Sequence, residues 1–81
     1  MRVLVRYFAA ARERCGCSQE WWDVDAGATV EHLWGKLVHR HPSLAGLGGC
    51  VSYAVNQEYV DRLHLLAEGD EVAIIPPVSG G

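Results

Sequence analysis

Eighty-one residues are enough for one domain and one core, because a chain this short buries only about two-thirds of the surface its unfolded form exposes. With 49% hydrophobic and 21% charged residues, and no apolar run near the roughly 18 residues of a membrane span, the composition is that of a soluble domain with no membrane role. Ten Asp and Glu against seven Lys and Arg give a net charge of −3, and with no basic patch this disfavours nucleic acid as a partner.

Residues 2 to 8 alternate, with Val3, Val5 and Tyr7 on one face and Arg2, Leu4, Arg6 and Phe8 on the other, which predicts a half-buried strand with the valine face inward. The chain enters this pattern without the apolar block and cleavage site of a signal peptide, so a cytoplasmic location is expected. Ala9 to Arg14 has high helix propensity but room for only a turn or two before Gly16. Cys15, Cys17 and Cys50 are an odd number in a reducing compartment and are expected to be thiols. Cys15-Gly16-Cys17 has the look of half a metal site, but no second pair follows at zinc-finger spacing, so small loop residues and no metal are the expectation.

Glu20 to Val24 alternates again, with Trp22 and Val24 predicted inward and Trp21 outward. Thr29 is the expected N-cap of a helix in which Glu31 favours the dipole and Val30, Leu33, Trp34, Leu37 and Val38 form one apolar stripe, ended by Pro42. Leu44 to Gly49 reads as a glycine-rich loop, Val51 to Val55 and Tyr59-Val60 as a hairpin around Asn56-Gln57-Glu58, and Leu63 to Ala67 as an apolar connection. After a turn at Glu68-Gly69-Asp70, Glu71 to Ile75 is a final β-branched strand with Val72 and Ile74 on one face. The order strand, strand, helix, then two or three strands is an α+β arrangement; if the first and last strands lie side by side in parallel, the helix must cross one sheet face.

Residues 1–75 are therefore expected to form the domain, and 76–81, Pro76-Pro77-Val78-Ser79-Gly80-Gly81, an extended C-terminal tail. Two prolines cannot continue a ladder and favour an extended arm, and six residues at about 3.3 Å each reach roughly 20 Å. Two terminal glycines suit a narrow channel, because backbone without Cβ atoms can approach catalytic groups and a nucleotide closely. The reactive group would be the Gly81 carboxylate, ionised at neutral pH with a pKa of roughly 3.5. Its oxygen can attack the α-phosphate of ATP to give an acyl-adenylate, which a sulfur donor opens to a thiocarboxylate. Chance alone supplies a terminal glycine pair in about 0.5% of chains, so the pair gains weight only from the Pro-Pro arm behind a terminal strand.

Tyr7-Phe8-Ala9 with Arg12-Glu13, Val55-Asn56-Gln57, and above all Glu68-Gly69-Asp70-Glu71-Val72-Ala73 running into Pro76-Pro77-Val78-Ser79-Gly80-Gly81 resemble the MoaD-type sulfur carriers, the small subunits of molybdopterin synthase. The resemblance covers nearly the whole chain. It implies a ubiquitin-like β-grasp, with a mixed sheet of four to five strands and one main helix across it. It implies adenylation of Gly81 by an E1-like enzyme that uses ATP, with no cofactor bound to the carrier. It also implies insertion of the tail into a large synthase subunit, in an expected heterotetramer, where the large subunit supplies the catalytic side chains and the carrier is a cosubstrate. Family members often place aromatics where this chain has Ile74-Ile75, and Cys15-Gly16-Cys17 and Leu47-Gly48-Gly49 match none of their signatures.

Parity places Leu4, Phe8 and Ile75 on the outer sheet face beside the tail, so Phe8, Ile75 and Pro76 are the expected centre of a docking patch, with Arg12 at its rim and Pro77, Val78 and Ser79 continuing it. Three other functions compete. Carriers for thiamine synthesis or tRNA thiolation, and modifiers conjugated through Gly81 to lysines, use the same activated carboxylate. An enzyme would need Cys15 or Cys50 paired with His32, His39, His41 or His64, and nothing in the spacing pairs them; His39 and His41 are more simply read as solvated charges compensating a helix C-terminus. A plain interaction module is the third.

Overall fold

The alternation of Arg2–Tyr7 becomes strand β1, with Val3, Val5 and Tyr7 buried and Arg2 and Arg6 exposed. The strand stops one residue short of the expected end because Phe8 caps a short helix α1, Ala9–Cys15, and this helix closes at Gly16 in the left-handed region (φ 77°). There the Gly16 N–H donates to Arg12 O at 2.9 Å, a conformation glycine adopts without strain. Strand β2, Gln19–Asp23, turns Glu20 and Trp22 inward and leaves Trp21 outside, under the Arg2 guanidinium at 4.9 Å. The computed structural model describes residues 1–77.

Helix α2, Val30–Arg40, starts at Thr29 through a reciprocal cap: the His32 N–H donates to Thr29 Oγ1 at 3.2 Å, and the Thr29 N–H donates to His32 Nδ1 at 3.1 Å. A histidine here fills the position usually held by Glu or Gln. Val30, Leu33 and Leu37 are buried, Trp34 and Val38 half-buried, so the stripe is a 3.6-residue helical face turned to the sheet. The expected loop from Leu44 is instead largely a 3-10 helix, Pro42–Leu47. Proline suits its first turn, fully buried Leu44 anchors it, and Arg14 Nη1 donates to Ser43 O (3.1 Å) while Ser43 Oγ donates to Arg14 O (2.9 Å), tying it to α1.

Strands β3, Ser52–Val55, and β4, Glu58–Val60, form the expected hairpin. Asn56 and Gln57 both have positive φ, 51° and 73°, the twist a two-residue connection between antiparallel strands requires. Strand β5 is Glu71–Ile75. The sheet order is β2-β1-β5-β3-β4, with β1 and β5 parallel and every other pair antiparallel. This is the ubiquitin-like β-grasp arrangement, with α2 across one face. Val3, Val5, Tyr7, Leu33, Leu37, Val72 and Ile74 meet in the core between sheet and helix.

The turn before β5 is held by side chains of the motif residues. Asn56 Nδ2 donates to Asp70 Oδ1 (2.9 Å), the Glu71 N–H to Asn56 Oδ1 (3.0 Å) and the Ala67 N–H to Asp70 Oδ2 (2.7 Å). Asn56 and Asp70 are thus explained by the register of β5, the strand that carries the tail. Among the described residues no helix is long and apolar enough to cross a membrane.

Candidate functional site

β5 lies between β1 and β3, so the chain leaves the middle of the sheet. Tyr7 pairs with Ile74, and the Phe8 N–H donates to Ile74 O at 3.2 Å, which sets Phe8 beside the last turn of backbone before the prolines. Pro76 is buried and Pro77 exposed; Val78, Ser79, Gly80 and Gly81, including both expected reactive residues, lie outside the described residues.

On the outer face, pairing registers Gln19, Arg6, Ala73, Ala54 and Tyr59 as one row across all five strands. The two alanines at its centre are small, and the hollow above them is a groove of about 330 Å³ walled by Phe8, Ile75, Tyr59, Gln57, Arg6 and Glu71. Phe8 is 40% exposed and Tyr59 74%, while Arg6 pairs with Glu71 (Nη1–Oε2 3.7 Å) and holds its guanidinium 5.7 Å from the Phe8 ring. The groove thus has an apolar floor with one ion pair at its margin.

The structure brings Phe8 and Ile75 together here, as parity implies. Of the rest of the expected patch, Leu4 is half-buried, Arg12 is exposed on α1 and Pro76 is buried, and none of the three is among the residues lining the groove. Pro76 follows directly on β5 with the parity of buried Val72 and Ile74, so it turns from the outer face. Tyr59, Ala54 and Ala73 were missed. The signal was the turn at Asn56-Gln57: a two-residue loop pairs Val55 with Glu58 and therefore Ala54 with Tyr59.

A second group of polar side chains lies at the inner edge of β2. Glu20 Oε1 accepts from Tyr7 OH (2.7 Å) and Trp22 Nε1 (3.2 Å) and lies 2.9 Å from His41 Nε2, while Arg40 Nε is 3.7 Å from Oε2. Burial disfavours the Glu20 carboxylate, but the hydrogen bonds from Tyr7, His41 and Trp22 outweigh it and hold the carboxyl below its ordinary value. His41, expected to be solvated, is half-buried with its ring edge-on to Tyr7. Burial, with Cys17 and Glu20 adding to it, pushes the Cys15 thiol up to about 11, and burial followed by Glu20 raises Cys17 as well. Thiols so shifted are protonated at neutral pH, the opposite of what nucleophilic catalysis needs. Cys17, Glu20 and His41 present potential metal-ligand atoms within 4.8 Å of one another.

Glu20→Gln is expected to cost about 1–3 kcal/mol of stability, because a charge-assisted set of hydrogen bonds is replaced by a weaker and partly mismatched one. Since the folded carboxyl titrates below its unfolded value, this contribution is present above the ordinary carboxyl range and is lost as pH falls through the folded value. Urea melts of both proteins with chelator present should therefore differ most at neutral pH and converge in acid.

The chain matches the ThiS family over residues 5–81. It is 41% identical to the molybdopterin synthase sulfur carrier subunit of Chlamydomonas reinhardtii, over 100% of both chains. With the subunit of the same name from Homo sapiens it shares 42% identity over 99% of this chain and 94% of the relative. Among solved structures it is similar to SAMP1, small archaeal modifier protein 1, of Haloferax volcanii (32% identity, 100% of both chains, TM-score 0.89). It is also similar to a chain in the Helicobacter pylori complex of subunits 1 and 2 of molybdopterin-converting factor (26% identity, 100% of both chains, TM-score 0.73).

Proposed function

The chain belongs to the ThiS family, and we propose that it is a sulfur carrier, the small subunit of a molybdopterin synthase, working through the carboxylate of Gly81. The observation that carries this reading is full-length similarity to sulfur carrier subunits in a fold whose last strand ends at Ile75, in the wall of an exposed apolar groove. In the proposed cycle an E1-like enzyme binds ATP, and a Gly81 carboxylate oxygen attacks the α-phosphorus. Pyrophosphate leaves and the acyl-adenylate forms. A hydrosulfide equivalent then attacks the acyl carbon, AMP leaves with the former carboxylate oxygen, and a thiocarboxylate remains. In the large subunit that sulfur bonds to the pterin precursor, and water attacks the acyl carbon, so that the carbon–sulfur bond breaks, the sulfur stays on the pterin and Gly81 returns to a carboxylate.

The carrier contributes reach and address to this cycle. Gly80 and Gly81 offer no side chain to a narrow channel, and Pro77, Val78 and Ser79 bridge from the domain to it. The catalytic side chains belong to the large subunit, with two copies of each chain in the assembly. The Helicobacter pylori complex, subunit 1 with subunit 2, supports a partner of this kind. The fold is shared with an archaeal modifier, so fold alone does not choose between transferring sulfur and conjugation to lysine; the sequence relatives favour sulfur.

The groove is proposed as the docking face, with Phe8, Ile75 and Tyr59 as its apolar contacts. Phe8→Asp replaces the apolar ring by a charge that must be desolvated in that contact and is expected to weaken binding to the large subunit by about 2 kcal/mol or more, roughly 30-fold. Phe8 is already partly exposed, so the fold should survive. Calorimetric titration against the large subunit checks this, and unchanged affinity with a native circular dichroism spectrum removes the groove from the interface.

A further inference from the structure

Away from the groove, three potential ligand atoms converge where the proposed sulfur chemistry needs none. Cys17 comes from the loop after α1, Glu20 from the inner face of edge strand β2, and His41 from the C-terminal cap of α2. All three are half-buried, and Cys17 Sγ, a Glu20 oxygen and a His41 ring nitrogen lie within 4.8 Å of one another. Hydrogen bonding accounts for the Glu20–His41 pair, but among the described residues the Cys17 thiol takes part in none of the bonds around it.

We propose that Cys17, Glu20 and His41 form a binding site for a zinc-type divalent cation, held through sulfur, a carboxylate oxygen and an imidazole nitrogen, with a fourth position open to water. The donor set selects the ion class: a thiolate excludes hard cations such as Mg2+, while imidazole and carboxylate beside a single sulfur suit Zn2+ and its close analogue Co2+. Bonds of about 2.0–2.3 Å in a tetrahedron separate neighbouring ligand atoms by about 3.3–3.6 Å, so the widest gap must close by roughly an ångström and the 2.9 Å Glu20–His41 pair must open by about half of one. The supporting shell is already built. Tyr7 OH and Trp22 Nε1 donate to Glu20 and fix its carboxylate, and the Tyr7 ring edge restrains His41.

Two features oppose the ion, and both can yield. The Arg40 guanidinium sits 3.7 Å from Glu20 Oε2 and 5.9 Å from the Trp22 ring, but its side chain is 66% exposed, so both contacts can be exchanged for water. Binding also converts the Cys17 thiol to a thiolate, its proton going to solvent, and the Nε2 proton that His41 donates to Glu20 moves to Nδ1 so that Nε2 can bind; the His41–Glu20 hydrogen bond is exchanged for two metal bonds, and affinity rises with pH. Cys15, next but one along the chain, is the neighbouring thiol and is assigned no ligand role.

Co2+ titration of the full-length chain, with Gly81 as the unmodified carboxylate so that no terminal sulfur competes, tests the assignment. Expected are one equivalent bound per chain, a thiolate-to-cobalt charge-transfer band in the near ultraviolet, visible bands of tetrahedral intensity, and displacement by Zn2+. Cys17→Ser should abolish the charge-transfer band, and His41→Gln should weaken binding by at least about tenfold. Cys15→Ser and Cys50→Ser should leave the band in place. Absence of the band from the folded wild-type chain, its survival in Cys17→Ser, or its loss in Cys15→Ser or Cys50→Ser overturns the proposal.

Discussion

Deleting Gly81 is expected to abolish sulfur donation while folding and docking persist. The new terminal carboxylate, on Gly80, would sit about 3.5 Å short of the position Gly81 reaches when the domain is docked. Misplacing a reacting group by about 1 Å already costs up to roughly 100-fold, so a whole residue should carry product formation to background. The domain should not register the loss. Strand β5 is complete at Ile75, six residues before Gly81 in the sequence, and loss of Gly81 should change stability by no more than about 0.5 kcal/mol. Product formed in reconstituted synthase, read beside a urea midpoint and an affinity for the large subunit, separates the two effects. A plain binding module would lose nothing in any of the three.

The largest loss of stability is expected from Leu37→Ala. Leu37 is fully buried at the centre of the α2 stripe, and truncation leaves a cavity that close-packed neighbours refill only in part, at about 2–5 kcal/mol. A domain of this size holds a total of only about 4–12 kcal/mol, at the usual 0.05–0.15 per residue. Each kcal/mol lowers the melting temperature of so small a chain by about 4–8 °C, so a fall of 10 °C or more is expected in thermal denaturation. Leu63→Ala is the matched control: Leu63 is 63% exposed, and the same truncation should change stability by under about 0.5 kcal/mol. Equal losses at the two positions would contradict the packing described for α2.

The elements that could be read from the sequence are those whose signal is local. The alternation at β1 and β5 and the stripe from Val30 to Val38 record which face each element buries, and a parallel β1–β5 pair then leaves α2 only one way across the sheet. The 3-10 helix at Pro42–Leu47 was hidden because Gly46 and Gly48 argue for a loop, whereas burial of Leu44 and the Arg14–Ser43 bonds come from α1, nearly thirty residues away. Half of the groove was visible for the same reason. Phe8 and Ile75 follow from parity within single strands, but Tyr59 and the two alanines need the register between strands, which the turn at Asn56-Gln57 decides. Arg12 is exposed on α1 and is not among the residues lining the groove, and strand parity buries Pro76.

Least visible of all was the gathering of Cys17, Glu20 and His41. Cys15-Gly16-Cys17 lacks a partner motif at any regular spacing, and its neighbours arrive from β2 and from the end of α2 only once the sheet has formed. The same topology separates this cluster from the groove, since His41 and Glu20 face the helix side of the sheet and Phe8 and Tyr59 the other. Substitutions in the cluster should therefore leave affinity for the large subunit unchanged, which keeps tests of the two surfaces independent.

The central claim is that Gly81 carries sulfur, and the mass of the C-terminal peptide tests it most directly. After incubation of the full chain with its E1-like activating enzyme, ATP and a sulfide donor, the peptide ending at Gly81 should gain the difference between one sulfur and one oxygen, and a chain lacking Gly81 should not. An unchanged mass, or conversion of the chain into lysine-linked conjugates in place of that gain, would contradict the account.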